Sequence, residues 1–303
     1  INMLEKNVVD FKFSKEDLDF LLSPAAIREK AQKIYDLALS GSTNFKINEE
    51  NLEKVSEFVL KVTRENYPDF NIPFHSRWGH FNTDKKNRLD EFNRRLEKFS
   101  PDEKCRRKLD LVITSVLLDA GAGDDWSFHD SETDEQVGRS EGLALASLNL
   151  FLSGAMSKDP KNDPLRVDGE KLLALKETDL EQAFQVSKDN PLVGLGGRLE
   201  LLQSLGKSLV QKKSIFAEAR PGNLFDYFLE QCEQRNLSAE SILKGVLIGL
   251  GEIWPGRVSL GGTNLGDVWP YNSLSDQQSI SCLVPFHKLS QWLTYSLIEP
   301  LED

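Results

Sequence analysis

A mainly α fold, one large helical domain, is predicted by three observations. Apolar residues recur at helical spacing through most of the chain, several of those runs open on Ser-Pro or capping signals, and only two short stretches look strand-like. Ser23-Pro24 reads as an N-cap and first helical residue, with Ile27, Ala31, Ile34, Tyr35 and Ala38 at helical spacing and Gly41 as the stop. After an Asn48 cap, Leu52, Val55, Val59 and Val62 fall on one stripe that Tyr67-Pro68 ends. Leu89, Phe92, Leu96 and Phe99 mark a short amphipathic helix, and Ser100-Pro101-Asp102-Glu103 supplies a capping box for a longer one reaching Leu118.

An acidic loop then leads to Arg139-Ser140-Glu141-Gly142, which opens an Ala/Leu-rich helix through Leu152, small enough in side chain to pack closely at the centre. Thr178 to Glu181 has capping-box form, Gly194 to Arg198 precedes a leucine-rich helix, and further helices follow at Leu224 to Cys232 and Ser238 to Leu250. Trp254 to Leu260 and a few residues near Phe45 look strand-like, and the run from His287 to Pro300 has helical length. The expected organisation is one domain over 1–303, or two intimate lobes whose boundary falls near 153–164, with the C-terminal end incomplete.

Charge narrows the function. Thirty-seven basic against 48 acidic residues give a net charge of -11, the wrong sign for a protein that neutralises a polyanion, so no nucleic-acid partner is expected. No apolar run approaches the roughly 18 residues that span a bilayer, and the N-terminus lacks a basic region followed by an apolar stretch, so the reading is a cytoplasmic protein with no membrane partner. Cys105, Cys232 and Cys282 are too widely spaced for a disulfide framework or a zinc site and read as reduced, packed thiols. A His75–His80 pair without a third ligand does not specify a metal, Asp124-Asp125 lack the alternation of a calcium loop, Gly194–Arg198 lacks a phosphate-loop Lys-Ser/Thr, and there is no Gly-x-Ser-x-Gly elbow. No metal or other cofactor is expected, and the oligomeric state is left open.

Five strings carry a resemblance: His75-Ser76-Arg77-Trp78-Gly79-His80-Phe81, Ser115 to Gly123, Arg139 to Ala144, Ile253-Trp254-Pro255-Gly256-Arg257, and His287 to Pro300. In that order, from about Leu21 to Glu299, they resemble the uracil-catabolism family, the fourth component of the fungal uracil-degradation pathway and its bacterial relatives, which contains a domain of unknown function. Phe286 to Gln291 is also distantly similar to the queuosine-nucleotide N-glycosidases, themselves similar to helical DNA glycosylases, which implies a partly glycosylase-like helical fold. In that comparison the nucleosidase aspartate falls near Ser296, with Glu299 one turn further on. A further acidic-Tyr-Arg segment would follow Asp303.

The resemblance implies an enzyme that cuts the C–N bond of a ring-opened uracil nucleotide or nucleoside of ribosyl-urea type and releases urea. The open alternatives are a uracil phosphoribosyltransferase-type enzyme, for which no strand-loop-helix diphosphate site is evident, and a non-catalytic binding or scaffold protein of the same pathway. Hydrolysis of an N-ribosyl bond needs a carboxylate beneath the anomeric carbon, because the transition state is oxocarbenium-like. Asp267, in a tight turn before Val268-Trp269, and Glu299, on a helical face with Gln291, Trp292 and Tyr295, are the catalytic candidates; a turn aspartate and an exposed helix-end acid are their plainer readings. Asp119, Asp125 and Glu141 are further acids for the pocket. Trp126, Trp269 and Trp292 could hold a planar leaving group between indole faces, or simply fill core. His75, Arg77 and His80 on one loop, with Arg139, Arg257, His287 and Lys288, offer donors to a sugar phosphate.

Overall fold

The computed structural model describes residues 12–254, 258–275 and 279–303. The mainly α expectation holds: twelve α-helices and a few short strands make up the described residues. They gather into two compact units, one of residues 12–75, 258–263, 267–275 and 279–286 and the other of 76–254, 264–266 and 287–303.

In the first unit, Ser14 and Asp17 form a reciprocal capping box at the start of α1 (Lys15–Leu21). Ser23 caps α2 (Pro24–Leu39), as its Ser-Pro opening predicts. Helix α2 packs on the strand Leu283–Pro285, which pairs antiparallel with Val268–Pro270. Lys30 lays its stem in this contact and donates from Nζ to the Ser281 carbonyl at 2.7 Å, so its charge ends on an acceptor. Helix α3 (Leu52–Asn66) follows a short 3₁₀ turn and buries none of its residues.

The second unit is built round α5 (Pro101–Leu118), every residue of which is buried from Leu109 to Leu118. Around it lie α4 (Arg88–Leu96), α6 (Arg139–Leu152), α7 (Gly169–Leu173), α8 (Glu177–Ala183), α9 (Leu195–Gln211), α10 (Leu224–Gln231), α11 (Ala239–Leu250) and α12 (Lys288–Glu302). Helix α12 packs on both α5 and α11, while α6 packs on α5 and on the short 3₁₀ segment Gly79–Phe81. The acidic loop expected before α6 is instead a hairpin, Ser127–Asp130 against Glu135–Gly138, in register Ser127 to Gly138. Gly142 lets α6 press on this hairpin: a Cβ there would lie 2.1 Å from the Val137 carbonyl oxygen.

Polar accounting corrects two caps. Ser100 accepts from the Glu103 amide, but the Glu103 carboxylate turns away to Arg220 at 2.9 Å and to Arg107 at 2.8 Å, so the box is half formed. Thr178 does not begin its helix; α8 opens after Lys176, whose amide donates to Asp179 at 2.8 Å. Of the strand-like stretch at 254–260, only Ser259–Leu260 are strand within the described residues, 255–257 lie outside them, and Phe45 is in no strand. The hairpin escaped the sequence because its four-residue strands, half-buried, lack a long alternating run.

Asp110, fully buried on α5, is the centre of an ionic network. It accepts from Arg220 Nη2 at 2.6 Å and Nε at 3.1 Å, from the Gly222 amide at 2.7 Å and from the Val167 amide at 3.3 Å. Burial pushes the Asp110 carboxyl up and opposes the charge on Arg220, while Asp110 and Glu103 raise the Arg220 guanidinium. With four N–H groups directed at two oxygens, the ionised carboxylate is the form that this geometry fits.

Candidate functional site

The loop from Ser76 to Phe81 lies along α12 in the opposite direction. The Ser76 hydroxyl donates to Oε2 of Glu299, the Arg77 amide donates to the Ser296 hydroxyl at 3.0 Å, and the His80 ring stands 5.9 Å from the Trp292 ring. As the loop advances by four residues the helix is read back by seven, two turns, so each contact falls on one side of α12. Trp292, Tyr295 and Glu299 are spaced three and four apart, which puts indole, phenol and carboxylate on a common strip. Ser296, inside that strip, also donates to the Trp292 carbonyl at 2.8 Å.

Behind the loop, Arg77 ties three elements together. Its side chain is fully buried; Nε donates to the Ser115 hydroxyl at 2.7 Å, Nη2 to the Ser115 carbonyl at 3.2 Å and Nη1 to the Ser140 carbonyl at 2.7 Å. Asp119 lies 3.4 Å from Nη1 and accepts from the Ser140 hydroxyl at 2.6 Å. Ser115 and Ser147 share a further hydrogen bond at 2.6 Å. Burial lowers the Arg77 guanidinium to about 10 against the pull of Asp119 and Glu141, so it is charged at neutral pH. Arg77 therefore joins the end of α5, the start of α6 and the loop that carries Ser76, and its donors face protein.

Arg198 does the same one step away. Its Nε donates to the Leu118 carbonyl at 3.0 Å, Nη2 to the Ala120 carbonyl at 2.6 Å, and Nη1 to the Val193 carbonyl. The small-residue junction 119–123 is thus shaped by a guanidinium that gathers the carbonyls left over at the C-terminus of α5.

The remaining sequence-derived residues divide. Trp126 is core: its Nε1 donates to the Phe184 carbonyl at 2.9 Å, and its ring contacts Phe184. His287 is fully buried in a left-handed conformation, φ 50°, and its carbonyl accepts from Gln291 as α12 begins. Asp125, Glu141, Lys288 and Gln291 are exposed, and Arg139 is exposed at the start of α6 with φ 53°. In the other unit, His75 is exposed, and the half-buried Asp267 accepts from Trp269 Nε1 at 2.9 Å through its carboxylate and from the Phe286 amide at 2.9 Å through its carbonyl. Arg257 lies outside the described residues. The serines at 76, 115, 140, 147 and 296, and Arg198, carry the architecture but stood in no list of candidates; a serine has no sequence signature until a partner far along the chain is known.

A cavity of about 440 Å³ lies elsewhere, lined by Phe225, Phe228, Leu237, Ile242, Cys105 and the end of α12. Burial pushes the Cys105 thiol up to about 12, which leaves it protonated and unreactive at neutral pH. Among the described residues no three His, Cys, Asp or Glu side chains gather as metal ligands, and no helix is long and apolar enough to cross a membrane.

The architecture is that of a mainly helical protein in which a buried arginine fixes a His/Ser loop against an acid-bearing helix. The chain belongs to the family described as protein of unknown function DUF1688, whose model matches residues 20–303. Its relatives include uracil catabolism protein 4 of Lachancea kluyveri, 36% identical over 304 residues, a span of 94% of this chain and 69% of that protein. Protein urg3 of Schizosaccharomyces pombe is 39% identical over 296 residues, 96% of this chain and 70% of that one. The uracil-catabolism resemblance read from the five strings is thereby shown. No solved structure matches the chain.

Proposed function

We propose that this protein acts in uracil catabolism as an N-glycosidase-like hydrolase on a ring-opened uracil nucleotide or nucleoside, releasing urea from a ribosyl-urea. The observation that carries the reading is the strip on α12: a half-buried Glu299 carboxylate held by Ser76, with Tyr295 and Trp292 one and two turns before it. The name of the Lachancea kluyveri relative supports a substrate from uracil catabolism, and the strip supports the hydrolytic reading.

In this reading the C–N bond to the sugar breaks with the electron pair leaving on the urea nitrogen, and the cation that develops at the anomeric carbon is stabilised by Glu299. Water adds to that carbon as Glu299 accepts its proton, and the urea nitrogen is protonated in turn. Planar urea fits against Trp292, with Tyr295 as a hydrogen-bond partner. Arg139, exposed in the first turn of α6, is the cation for a phosphate, whereas Lys288 stands about 16 Å before Glu299 along α12, too far for the phosphate of the same sugar. Asp267 is the less suited carboxylate, since it already serves the indole of Trp269.

Incubation with ribosyl-urea phosphate, with urea as the readout, tests the proposal. Glu299→Gln is expected to abolish release while the thermal midpoint stays put. Retention of more than about a tenth of the rate, equivalent to a barrier change under roughly 1.4 kcal/mol, removes Glu299 from the chemistry. Tight binding of the intact protein without turnover favours the scaffold reading.

A further inference from the structure

Helix α3 is amphipathic, and its apolar side is exposed among the described residues. Leu52, Val55, Phe58, Val59 and Val62 recur at three- and four-residue steps on one stripe, and their exposures run from 38% at Val62 to 67% at Phe58. Core-facing helices bury such a stripe. At these exposures the five side chains present on the order of 500 Å² of apolar surface, near the upper end of the largest patch a monomer carries.

We infer that this stripe is where a second copy of the chain docks, α3 against α3, antiparallel across a two-fold axis. Area and charge lead to that occupant. Two such stripes together bury at most about 1,000 Å², the lower bound for a specific interface and the size of a weak dimer. The polar side of α3 carries Glu53, Glu57 and Glu65 against Lys54, Lys61 and Arg64, so it is neutral, unlike the Lys/Arg-rich face of a helix that lies on an anionic membrane.

The charges nearest the stripe also select direction. Lys54 and Glu65 are eleven residues apart, three turns plus about 20°, so they border the same edge of the stripe at opposite ends of the helix. Antiparallel pairing across a two-fold brings Lys54 of each copy toward Glu65 of the other, whereas a parallel two-fold sets the charged edge of each copy against the uncharged edge of the other and pairs no charges. The opposite edge carries only Ser56 and Thr63.

Sedimentation velocity on the whole chain, from about 1 to 100 µM, tests this. A dimer is expected within that range, and Val55→Glu/Val59→Glu is expected to give a monomer with an unchanged thermal midpoint, because neither side chain is buried. Lys54→Glu is expected to weaken the dimer at low salt, and Lys54→Glu/Glu65→Lys to restore it. A monomer throughout the range, or a dimer that survives the double glutamate variant, overturns the inference. Flotation with phosphatidylserine vesicles, lost in the same variant and without a dimer in solution, assigns the stripe to a membrane surface instead.

Discussion

Ser76 donates its hydroxyl hydrogen to Glu299 across 223 residues of sequence, and the next amide, that of Arg77, is bound to Ser296 one helical turn earlier. The carboxylate is therefore held in one orientation by a buried side chain whose own position is fixed on its neighbour's backbone. In the proposed reaction Ser76 is a positioning residue. Ser76→Ala is expected to lower kcat about tenfold with little change in KM, the loss of roughly one hydrogen bond to a charged group, about 1.4 kcal/mol. Ser76→Thr, which keeps the hydroxyl, is expected to recover part of the rate. Equal rates for Ser76→Ala and the unaltered protein refute the role.

Arg77 is a structural test of the same region. Arg77→Met leaves Asp119 and the Ser140 carbonyl without their cation inside the protein and is expected to cost about 3–5 kcal/mol in urea unfolding. Arg77→Lys is expected to rescue little of that, since one ammonium cannot reach Ser115, Ser140 and Asp119 as a fork does. A surface role for Arg77 predicts a change under about 0.5 kcal/mol for either.

The Asp110–Arg220 pair gives a double-mutant cycle. Asp110→Asn strips one charge from a fully buried network and is expected to destabilise by about 3–5 kcal/mol, as is Arg220→Met. Asp110→Asn/Arg220→Met is expected to cost clearly less than the sum of the two single changes, because no lone charge of the pair is left behind. Additive losses in equilibrium unfolding contradict the network.

Gly142→Ala isolates a packing constraint. The added methyl meets the Val137 carbonyl at 2.1 Å, which forces α6 and the hairpin apart, and a loss of about 1–3 kcal/mol is expected in thermal or urea unfolding. An unchanged midpoint places the hairpin further from α6 than described.

Acid sensitivity follows from three carboxylates. Burial works against the charge of each, yet Thr133 and Arg88 hold Asp130 below the usual carboxylate range, Arg107 holds Asp163 there, and Arg106 with Asn223 holds Asp226 there. A folded-state value below the unfolded one means that the unfolded chain binds more protons, so the contribution is complete above about pH 4–5 and is lost as pH falls through the lowered values. Urea midpoints measured from pH 6 down to pH 2 are expected to drop in that window, and Arg88→Met is expected to shallow the drop by releasing Asp130.

Sequence patterning gave α2, α5, α6 and α11 nearly to the residue, because each joins a capping serine or a glycine to a long 3.6-residue apolar period, while α9 begins at Leu195, inside the Gly194–Arg198 stretch read as preceding it. The short hairpin and the five-residue α7 were not legible, since their four or five residues hold too little periodicity and are fixed by what they pack against. For the site, the loop from His75 to Phe81 and the run from His287 to Pro300 stood out by composition. Which of their side chains face inward did not: Arg77, a natural phosphate ligand by type, is enclosed, while Ser76, chemically plain, holds the candidate acid.

By itself the sequence determined what is local or summed: helical periods, the acidic charge that disfavours polyanions, and membership of a family through ordered strings. Only the tertiary structure decided pairings across long stretches of chain, Ser76 with Glu299, Arg77 with Ser115 and Asp119, Asp110 with Arg220. The reason is physical. A polar group's role depends on whether it is removed from water and on which partner replaces that water, and both are properties of the packed chain.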